Sequence, residues 1–158
     1  MDPSIRAQIL KLLDEHRIMS LATLRPDGWP QATTVGYVND GLTLYFMCGK
    51  DSQKAKNLAR DSRVSLTIDR DTSDPLAIRG LSMAATATPV SDQMQIQQTM
   101  RVMLPKKYPE YGSMMGTVDL SAVAVFKVTP EVISVLDYSK GFGHCELVAV
   151  SASDRAAA

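Results

Sequence analysis

The sequence predicts a mainly β domain of the α+β class, a six- to seven-stranded antiparallel split β-barrel with short peripheral helices. Three observations carry this prediction. Short segments rich in β-branched and aromatic residues follow one another closely, turn sequences separate several of them, and strands do not alternate with helices as in a parallel sheet. Closing such strands into a barrel removes exposed strand edges, which favours a barrel over an open sheet.

The N-terminal third is predicted to form a helix and a three-stranded meander. Residues 3–16 carry apolar side chains at helical spacing, and Asp2-Pro3 supplies an N-cap followed by a proline in the first turn. The period then changes, and strands are predicted over 18–24, 31–38 and 42–47. The sequences at 25–28 (Arg-Pro-Asp-Gly) and 39–41 (Asn-Asp-Gly) lie between these strands and favour tight turns.

A short helix is predicted to interrupt the strands in the middle of the chain. It covers 52–61, and Ser52 would be its N-cap. Its barrel-facing residues are predicted to be Ala55, Leu58 and Ala59. A fourth strand over 63–70 and a fifth over 76–90 follow, and Gly80 is predicted to mark a bulge in the fifth.

The C-terminal third is predicted to add a helix and two strands. Ser91 would cap the helix, Pro105 would end it, and residues 106–116 would be irregular. The last two strands are predicted over 118–129 and 131–138. Pro130 would lie in a turn between them, because proline cannot donate to a strand ladder.

The composition is that of one globular domain. The chain has 158 residues, of which 45% are hydrophobic and 22% charged, and it contains 17 basic and 17 acidic residues. We expect residues 1–150 to form a single domain and 151–158 to form a disordered tail. The balanced charge argues against nucleic acid or an anionic membrane as a partner, because both require a basic excess.

Several classes of protein are disfavoured by what the sequence lacks. The N-terminus has no secretory signal pattern, and no run reaches the roughly 20 apolar residues of a membrane helix. Cys48 and Cys145 are far apart and show no CxxC spacing, so we predict neither a disulfide framework nor a metal site. A cytoplasmic location is the expectation that fits these features.

One segment has the composition of an anion site. Lys50-Asp51-Ser52-Gln53-Lys54 links a predicted strand to the predicted helix at 52–61. A helix N-terminus presents free N–H groups and a partial positive charge, and the two lysines add full charges. A serine-capped surface helix with solvated lysines is the alternative interpretation of the same residues.

The order of these features resembles the pyridoxamine 5'-phosphate oxidase-like family of FMN-binding split barrels. The resemblance extends over roughly residues 5–138. It rests on the following segments: Arg-Pro-Asp-Gly-Trp-Pro-Gln at 25–31, Ser-Gln-Lys-Ala-Lys-Asn-Leu at 52–58, Arg-Val-Ser-Leu at 63–66 and Leu-Asp-Tyr-Ser-Lys-Gly-Phe-Gly-His at 136–144.

The resemblance implies where FMN would bind. The flavin would lie across the second and third strands at a homodimer interface, and the partner subunit would complete the pocket from its fifth strand and its segment around 106–116. The resemblance assigns residues to the ring and ribityl chain as follows: Thr33, Thr34, Val35, Phe46 and Met47. It assigns these residues to the phosphate: Lys50, Ser52, Gln53 and Lys54.

Two positions depart from the enzymes that give the family its name. Those oxidases carry arginine where this chain has Thr33 and Gln53, and they end in an arginine-rich segment that helps to bind the substrate. Without these arginines the chain loses bidentate recognition of a phosphate. The resemblance therefore implies FMN binding with a substrate other than pyridoxamine phosphate.

The activity implied is that of an FMN-dependent oxidoreductase, in which hydride or electrons pass through flavin N5 to an unknown small molecule. NAD(P)H is a candidate electron donor, and no catalytic acid or base is identified. Two alternatives stay open: a reductase of the same fold that uses the deazaflavin F420, and a flavin- or haem-binding, stress-related module without turnover.

Two further residues have open roles. His144 could act as an acid or base or as an axial haem ligand, whereas a packed or solvated histidine is the simpler interpretation. Trp29 could stack on a partner subunit or cover the flavin, or it could be buried against the barrel rim.

Overall fold

The computed structural model of the protein describes residues 1–111 and 119–156. The helices are α1 (Pro3–Glu15), α2 (Gln53–Arg60), α3 (Gln93–Gln98), α4 (Leu104–Lys107) and α5 (Ala152–Ala156). The strands are β1 (Ile18–Leu24), β2 (Pro30–Asp40), β3 (Thr43–Gly49), β4 (Arg63–Asp69), β5 (Arg79–Pro89), β6 (Val123–Asp137) and β7 (Cys145–Ala149).

The strands form a closed antiparallel barrel with one strand added outside it. The order is β3-β2-β1-β4-β5-β6-β7, and pairing of β3 with β6 closes the first six strands. The predicted fold class is therefore confirmed. A single hydrophobic core fills the barrel, and its fully buried members include Leu21, Phe46, Leu66 and Met83.

Helix α1 begins and ends as its sequence predicts. The Asp2 carboxylate accepts hydrogen bonds from the backbone N–H groups of Ser4 and Ile5, which have no partner within the helix. Ile9, Leu12 and Leu13 are buried, so the apolar face of α1 packs against the barrel.

The meander and the following strands also agree with the sequence. The predicted β1 matches the observed one, β2 and β3 each run two residues past their predicted ends, and α2 has Ser52 as its N-cap. In α2 the buried residues are Ala55, Asn57 and Leu58. Ala59 is exposed, so its predicted contact with the barrel is wrong, and Asn57 takes the inner position instead.

Gly80 does not mark a bulge. The β5–β6 register shifts between Ala84 and Ala85, while Gly80 pairs regularly with Asp69 and Leu136. A Cβ atom at position 80 would lie 2.8 Å from the carbonyl oxygen of Ile68, so close packing of backbone requires the glycine. The predicted start of this strand is also wrong, because 75–77 form a 3₁₀ turn.

The helical segment after β5 differs from its prediction in two ways. Asp92, not Ser91, caps α3 by accepting a hydrogen bond from the N–H of Met94. Pro105 does not end the helix, because α3 continues through a π-helical turn, Thr99–Met103, into α4. The wider π turn changes the backbone pairing just before Pro105, where an ordinary helix would clash with the proline ring.

Strand β6 is continuous through Pro130, so the predicted turn there is wrong. Its first half pairs with β3, and its second half pairs with β7 on the same edge. Pro130 lies in the gap between these two pairings and opposite the β5 bulge, where its missing N–H breaks no ladder. Strand β7 was not predicted, and the predicted start of β6 at residue 118 lies outside the described residues.

The predicted tail 151–158 contains the short helix α5. The Asp154 carboxylate accepts a hydrogen bond from the N-terminal ammonium at 2.9 Å and another from the backbone N–H of Ser151. The Ser151 hydroxyl also donates to this carboxylate, and this bond, followed by the other two, lowers the pKa of Asp154 by stabilising its ionised form.

Candidate functional site

The N-terminal turn of α2 leaves two backbone donors without an acceptor. Ser52 Oγ accepts from the N–H of Ala55, and the N–H of Lys56 bonds to the carbonyl of Ser52. Within the part of the chain that the structure describes, nothing accepts from the N–H groups of Gln53 and Lys54. These two donors face the end of the helix, where the helix dipole adds positive potential.

Two lysines flank this turn without forming an ion pair to any described residue. Lys50 is exposed, and its backbone N–H bonds to the carbonyl of Ala122 at the start of β6. Lys54 is half-buried, with its Nζ atom 6.0 Å from the centroid of the Phe46 ring. Burial lowers the pKa of Lys54, and the nearby Cys48 opposes this shift.

Strand β2 presents the predicted ring residues on two different faces. Thr33 and Val35 are half-buried and point to the barrel side, whereas Thr34 is exposed on the outer side. The Thr33 Oγ1 atom is buried and has no hydrogen-bond partner among the described residues. A buried hydroxyl without a partner is costly, so this atom is suited to bind a ligand.

The same part of β2 also has an open edge. Its pairing with β1 extends over 30–36, but its pairing with β3 is limited to 37–40. In an antiparallel ladder alternate residues turn their N–H and C=O groups to the opposite edge. Among the described strands, none pairs with those groups between residues 31 and 35, so backbone donors and acceptors lie beside Thr33.

A buried amide network fixes α2 against this strand. Asn57 is fully buried, and its Nδ2 donates to Thr23 Oγ1 at 2.9 Å and to Gln31 Oε1 at 3.3 Å. Gln53 Nε2 donates to Asn57 Oδ1 at 2.9 Å. Since Gln31 and Thr33 share a face of β2, and Lys54 lies one turn before Asn57, the network brings the lysine and the hydroxyl to the same end of the barrel.

The structure therefore brings some of the predicted site residues together and separates others. Lys50, Lys54 and the main chain of Gln53 surround the start of α2, while the Gln53 side chain is occupied by Asn57. Phe46 is buried in the core and stacks on Phe126 with centroids 5.3 Å apart. Its ring is thus not at the surface.

Met47 lies on the opposite face of β3 from Phe46 and packs against a smaller cluster that contains Tyr45 and Tyr108. Phe46 and Met47 are the two predicted contacts to the ribityl chain. Because the Phe46 ring is buried, only the main chain of Phe46 could contact a ligand at the surface. The roles of both residues stay predictions.

A second polar cluster, which the sequence did not indicate, joins the helical segment to the C-terminal half of β2. Tyr108 Oη accepts from the N–H of Tyr37 at 2.9 Å, and its own proton lies between the carbonyls of Arg17 and Tyr37. The Arg17 guanidinium lies 4.5 Å from the centroid of the Tyr108 ring and pairs with Glu110. We call this set, together with Lys107, the Tyr108 cluster.

Lys107 completes the Tyr108 cluster. Its Nζ donates to the carbonyl of Leu13 at 2.7 Å and to Asn39 Oδ1 at 2.9 Å, and it lies 3.9 Å from the centroid of the Tyr37 ring. Burial lowers the pKa of Lys107 to about 8. The polar groups named here have internal partners. We therefore interpret the Tyr108 cluster as structural, because it fixes the helical segment against β2 and the end of α1.

His144 and Trp29 lie away from both clusters of polar residues. His144 Nε2 is 3.2 Å from Glu146 Oε1, and Lys140 donates to the same oxygen. Trp29 is 72% exposed, so the alternative of burial against the barrel rim is wrong, and its contact with a partner subunit or with the flavin stays a prediction.

The described residues contain neither a candidate membrane span nor a candidate metal site. None of the helices is long and apolar enough to cross a membrane, and no group of three or more histidine, cysteine or acidic residues could hold a metal ion in residues 1–111 and 119–156.

The sequence profile of one family, described as pyridoxamine 5'-phosphate oxidase, matches residues 5–137. A curated relative, general stress protein 26 of Bacillus subtilis (strain 168), is 31% identical over 67 residues. That match covers 42% of this chain and 47% of the relative, so the chain matches about half the length of that protein.

Solved structures share the fold. A haem-binding protein from Mycobacterium smegmatis superposes with a TM-score of 0.76 at 21% identity, over 94% of this chain and 59% of that chain. An FAD-binding protein from Mesorhizobium loti superposes with a TM-score of 0.64 at 15% identity, over 80% of this chain and 90% of that chain.

Proposed function

The chain belongs to the pyridoxamine 5'-phosphate oxidase family, and we propose that it is an FMN-binding member that acts as a flavin-dependent oxidoreductase. One observation carries the proposal. The first turn of α2 has two backbone N–H groups without an acceptor and two lysines without an ion-pair partner among the described residues, next to a strand with an orphaned buried hydroxyl.

The residues present fit a flavin mononucleotide. The N–H groups of Gln53 and Lys54, with the charges of Lys50 and Lys54, would hold the phosphate. Thr33 Oγ1 and the open edge of β2 would hydrogen-bond to the polar rim of the ring. FMN, when bound, supplies hydride and electron transfer, and the protein supplies its position and electrostatic surroundings.

The assembly that this proposal requires is a homodimer. The face of β2 that points away from the core bears Ala32, Thr34 and Gly36, which are small and exposed. A flat strand surface of this kind allows a second copy to approach the backbone closely. The partner would then cover the open side of the flavin, which one barrel alone leaves in contact with water.

The proposed substrate is not pyridoxamine phosphate. Thr33 and Gln53 stand where the oxidases that name the family have arginine, and a hydroxyl and an amide do not give bidentate binding to phosphate. The chain keeps two cations at α2, which suffice for a cofactor phosphate. The electron acceptor and donor are small molecules, with NAD(P)H as the donor to test first.

The test is to identify the small molecule that copurifies with the protein. We expect a yellow preparation that releases FMN on denaturation, identified by mass spectrometry, and a dimer by light scattering. Reduction of the bound flavin by NADH or NADPH under anaerobic conditions would support an oxidoreductase. A preparation that binds F420 or haem and does not bind added FMN would overturn the proposal.

A haem result would match the haem-binding protein of Mycobacterium smegmatis, and an FAD result would match the FAD-binding protein of Mesorhizobium loti. Haem is distinguishable from FMN by its absorbance spectrum, and FAD is distinguishable from FMN by its mass. Binding of FMN without reduction by any nicotinamide donor would leave a flavin-binding module and remove the oxidoreductase part of the proposal.

A further inference from the structure

A cavity lies next to the start of α2 and shares only Lys50 with the proposed FMN site. It has a volume of about 410 Å³ and lies between the helical segment that follows β5 and the first residues of β6. Its walls are mainly apolar and include Ile96, Met100 and residues 123–125. This volume is within the range of small-molecule sites, roughly 300 to 1,000 Å³.

Two cations line this mainly apolar space. Lys50 approaches it from the end of β3, and Arg101 approaches it from the π-helical turn. Arg101 is exposed and forms no ion pair to a described residue. Insertions of a π turn into an α-helix often accompany a functional site, because the extra residue redirects neighbouring side chains.

Asp119, an acidic residue close to Lys50, forms no ion pair with either cation among the described residues. Asp119 is close enough to Lys50 for the lysine to contribute to lowering the pKa of Asp119, yet the two form no ion pair within the described residues. The main cause of that lowered pKa is hydrogen bonding from Ser121. Arg101 therefore remains the cation available to a ligand.

We propose that this cavity binds a small organic anion with an apolar body, such as an aromatic carboxylate. Its apolar part would replace water against Met100 and the β6 residues, and its acid group would bind Arg101. Gln97, which also lines the cavity, can donate to the same group. The proposal does not depend on FMN, since Arg101 has no part in the phosphate site.

The test compares two ligands of nearly equal shape. Isothermal titration calorimetry with 2-naphthoate should show binding to the purified protein, and the neutral 2-naphthamide should bind about tenfold more weakly or worse, because it cannot form a charge-assisted bond. Equal binding of the two probes would overturn the anion site, and absence of 2-naphthoate binding would overturn the site altogether.

A pair of variants locates the site. Arg101→Gln should weaken 2-naphthoate binding by about tenfold. Lys106→Gln, which removes an exposed cation that does not line this cavity, should leave it unchanged. Equal effects of the two substitutions would contradict the proposal. The FMN content should stay the same in Arg101→Gln, so failure of this site and failure of the FMN site give different results.

Discussion

Burial lowers the pKa values of two lysines, Lys54 and Lys107, whose surroundings are different. The pKa of Lys107 and that of Lys54 are both lowered, because burial penalises their charged forms. Lys107 donates to two oxygens and lies on the face of Tyr37. Lys54 has no hydrogen-bond acceptor within the described residues and reaches only the Phe46 ring, at 6.0 Å.

The difference separates a structural role from a binding role. A partly buried charge is tolerated when its surroundings satisfy it, as at Lys107, or when a ligand will satisfy it. The same contrast holds for the hydroxyls, since Tyr108 Oη is fully bonded whereas Thr33 Oγ1 has no partner among the described residues. Substitutions on the α2 side should therefore affect ligand binding, and those on the Tyr108 side should affect stability.

The largest effect is expected at Asn57, which fixes α2 against the barrel behind its N-terminal turn. Asn57→Ala removes the partners of Thr23 and Gln31 and leaves a cavity in the core. The free energy of unfolding should fall by about 3 kcal/mol in urea denaturation. Gln53→Ala, which removes one exposed donor to the same network, should cost about 0.5 kcal/mol. A loss below about 1 kcal/mol for Asn57→Ala would mean that the network is not structural.

Lys54→Gln should separate binding from stability most clearly. Loss of one charge-assisted bond to the phosphate should weaken FMN binding by roughly 2 kcal/mol, measured by fluorescence titration of the apoprotein. The unfolding midpoint without FMN should not fall, because no internal partner is lost. Lys56→Gln on the exposed side of the same helix is the matched control. If both variants bind FMN equally, Lys54 has no role in the site.

Tyr108→Phe should show the opposite behaviour. It removes one of the two acceptors of the Tyr37 N–H, which also bonds to the Arg17 carbonyl, and it removes the donor to the carbonyls of Arg17 and Tyr37. The free energy of unfolding should therefore fall by about 1.5 kcal/mol. FMN affinity should be unchanged. Tyr111→Phe is the control, since Tyr111 stacks on Tyr108 while its hydroxyl bonds to no described group. A loss of FMN affinity in Tyr108→Phe would contradict the separation between a binding role at the first turn of α2 and a structural role at the Tyr108 cluster.

The smallest expected effect is the pH dependence contributed by Lys107. Its folded pKa is about 8 and its ordinary value is 10.5, so between these values the unfolded chain binds a proton that the folded chain does not. Stability should therefore rise by about 1 kcal/mol as pH increases from about 8 to 10.5, since solvent screens part of the effect at this half-buried group. The change of the thermal unfolding midpoint with pH should be steeper for the protein than for Lys107→Met over this range. Parallel curves would contradict the lowered pKa.

Much of the fold follows from local sequence. The Asp2 cap, the turns around Gly28 and Gly41 and the alternation in β4 depend on neighbouring residues, and each was predicted. The errors at Pro105 and Pro130 have a shared cause. A π turn precedes Pro105, and Pro130 lies in a gap between two strand pairings, so neither position needs the N–H that proline lacks. No local sequence pattern reveals either arrangement.

The candidate site was predictable in outline and not in detail. The serine cap and the lysines at α2 are local features, whereas the Asn57 contacts join residues 34 and 26 positions apart. Tyr108 meets Tyr37 across 71 positions. The sequence resemblance assigns both Thr33 and Thr34 to the flavin, although they lie on different faces of β2. The two-residue period of a strand was the signal that could have separated them.

Strand β6 sets a limit on how the chain can reach its native state. It pairs with β3, β5 and β7, and the paired residues Phe46 and Phe126 are about 80 positions apart. During synthesis the first five strands must therefore wait, with one side of β3 and of β5 unpaired, until β6 leaves the ribosome. Closure is a late event, so nascent chains that stop before β6 should be captured by chaperones, and chains that include it should escape them.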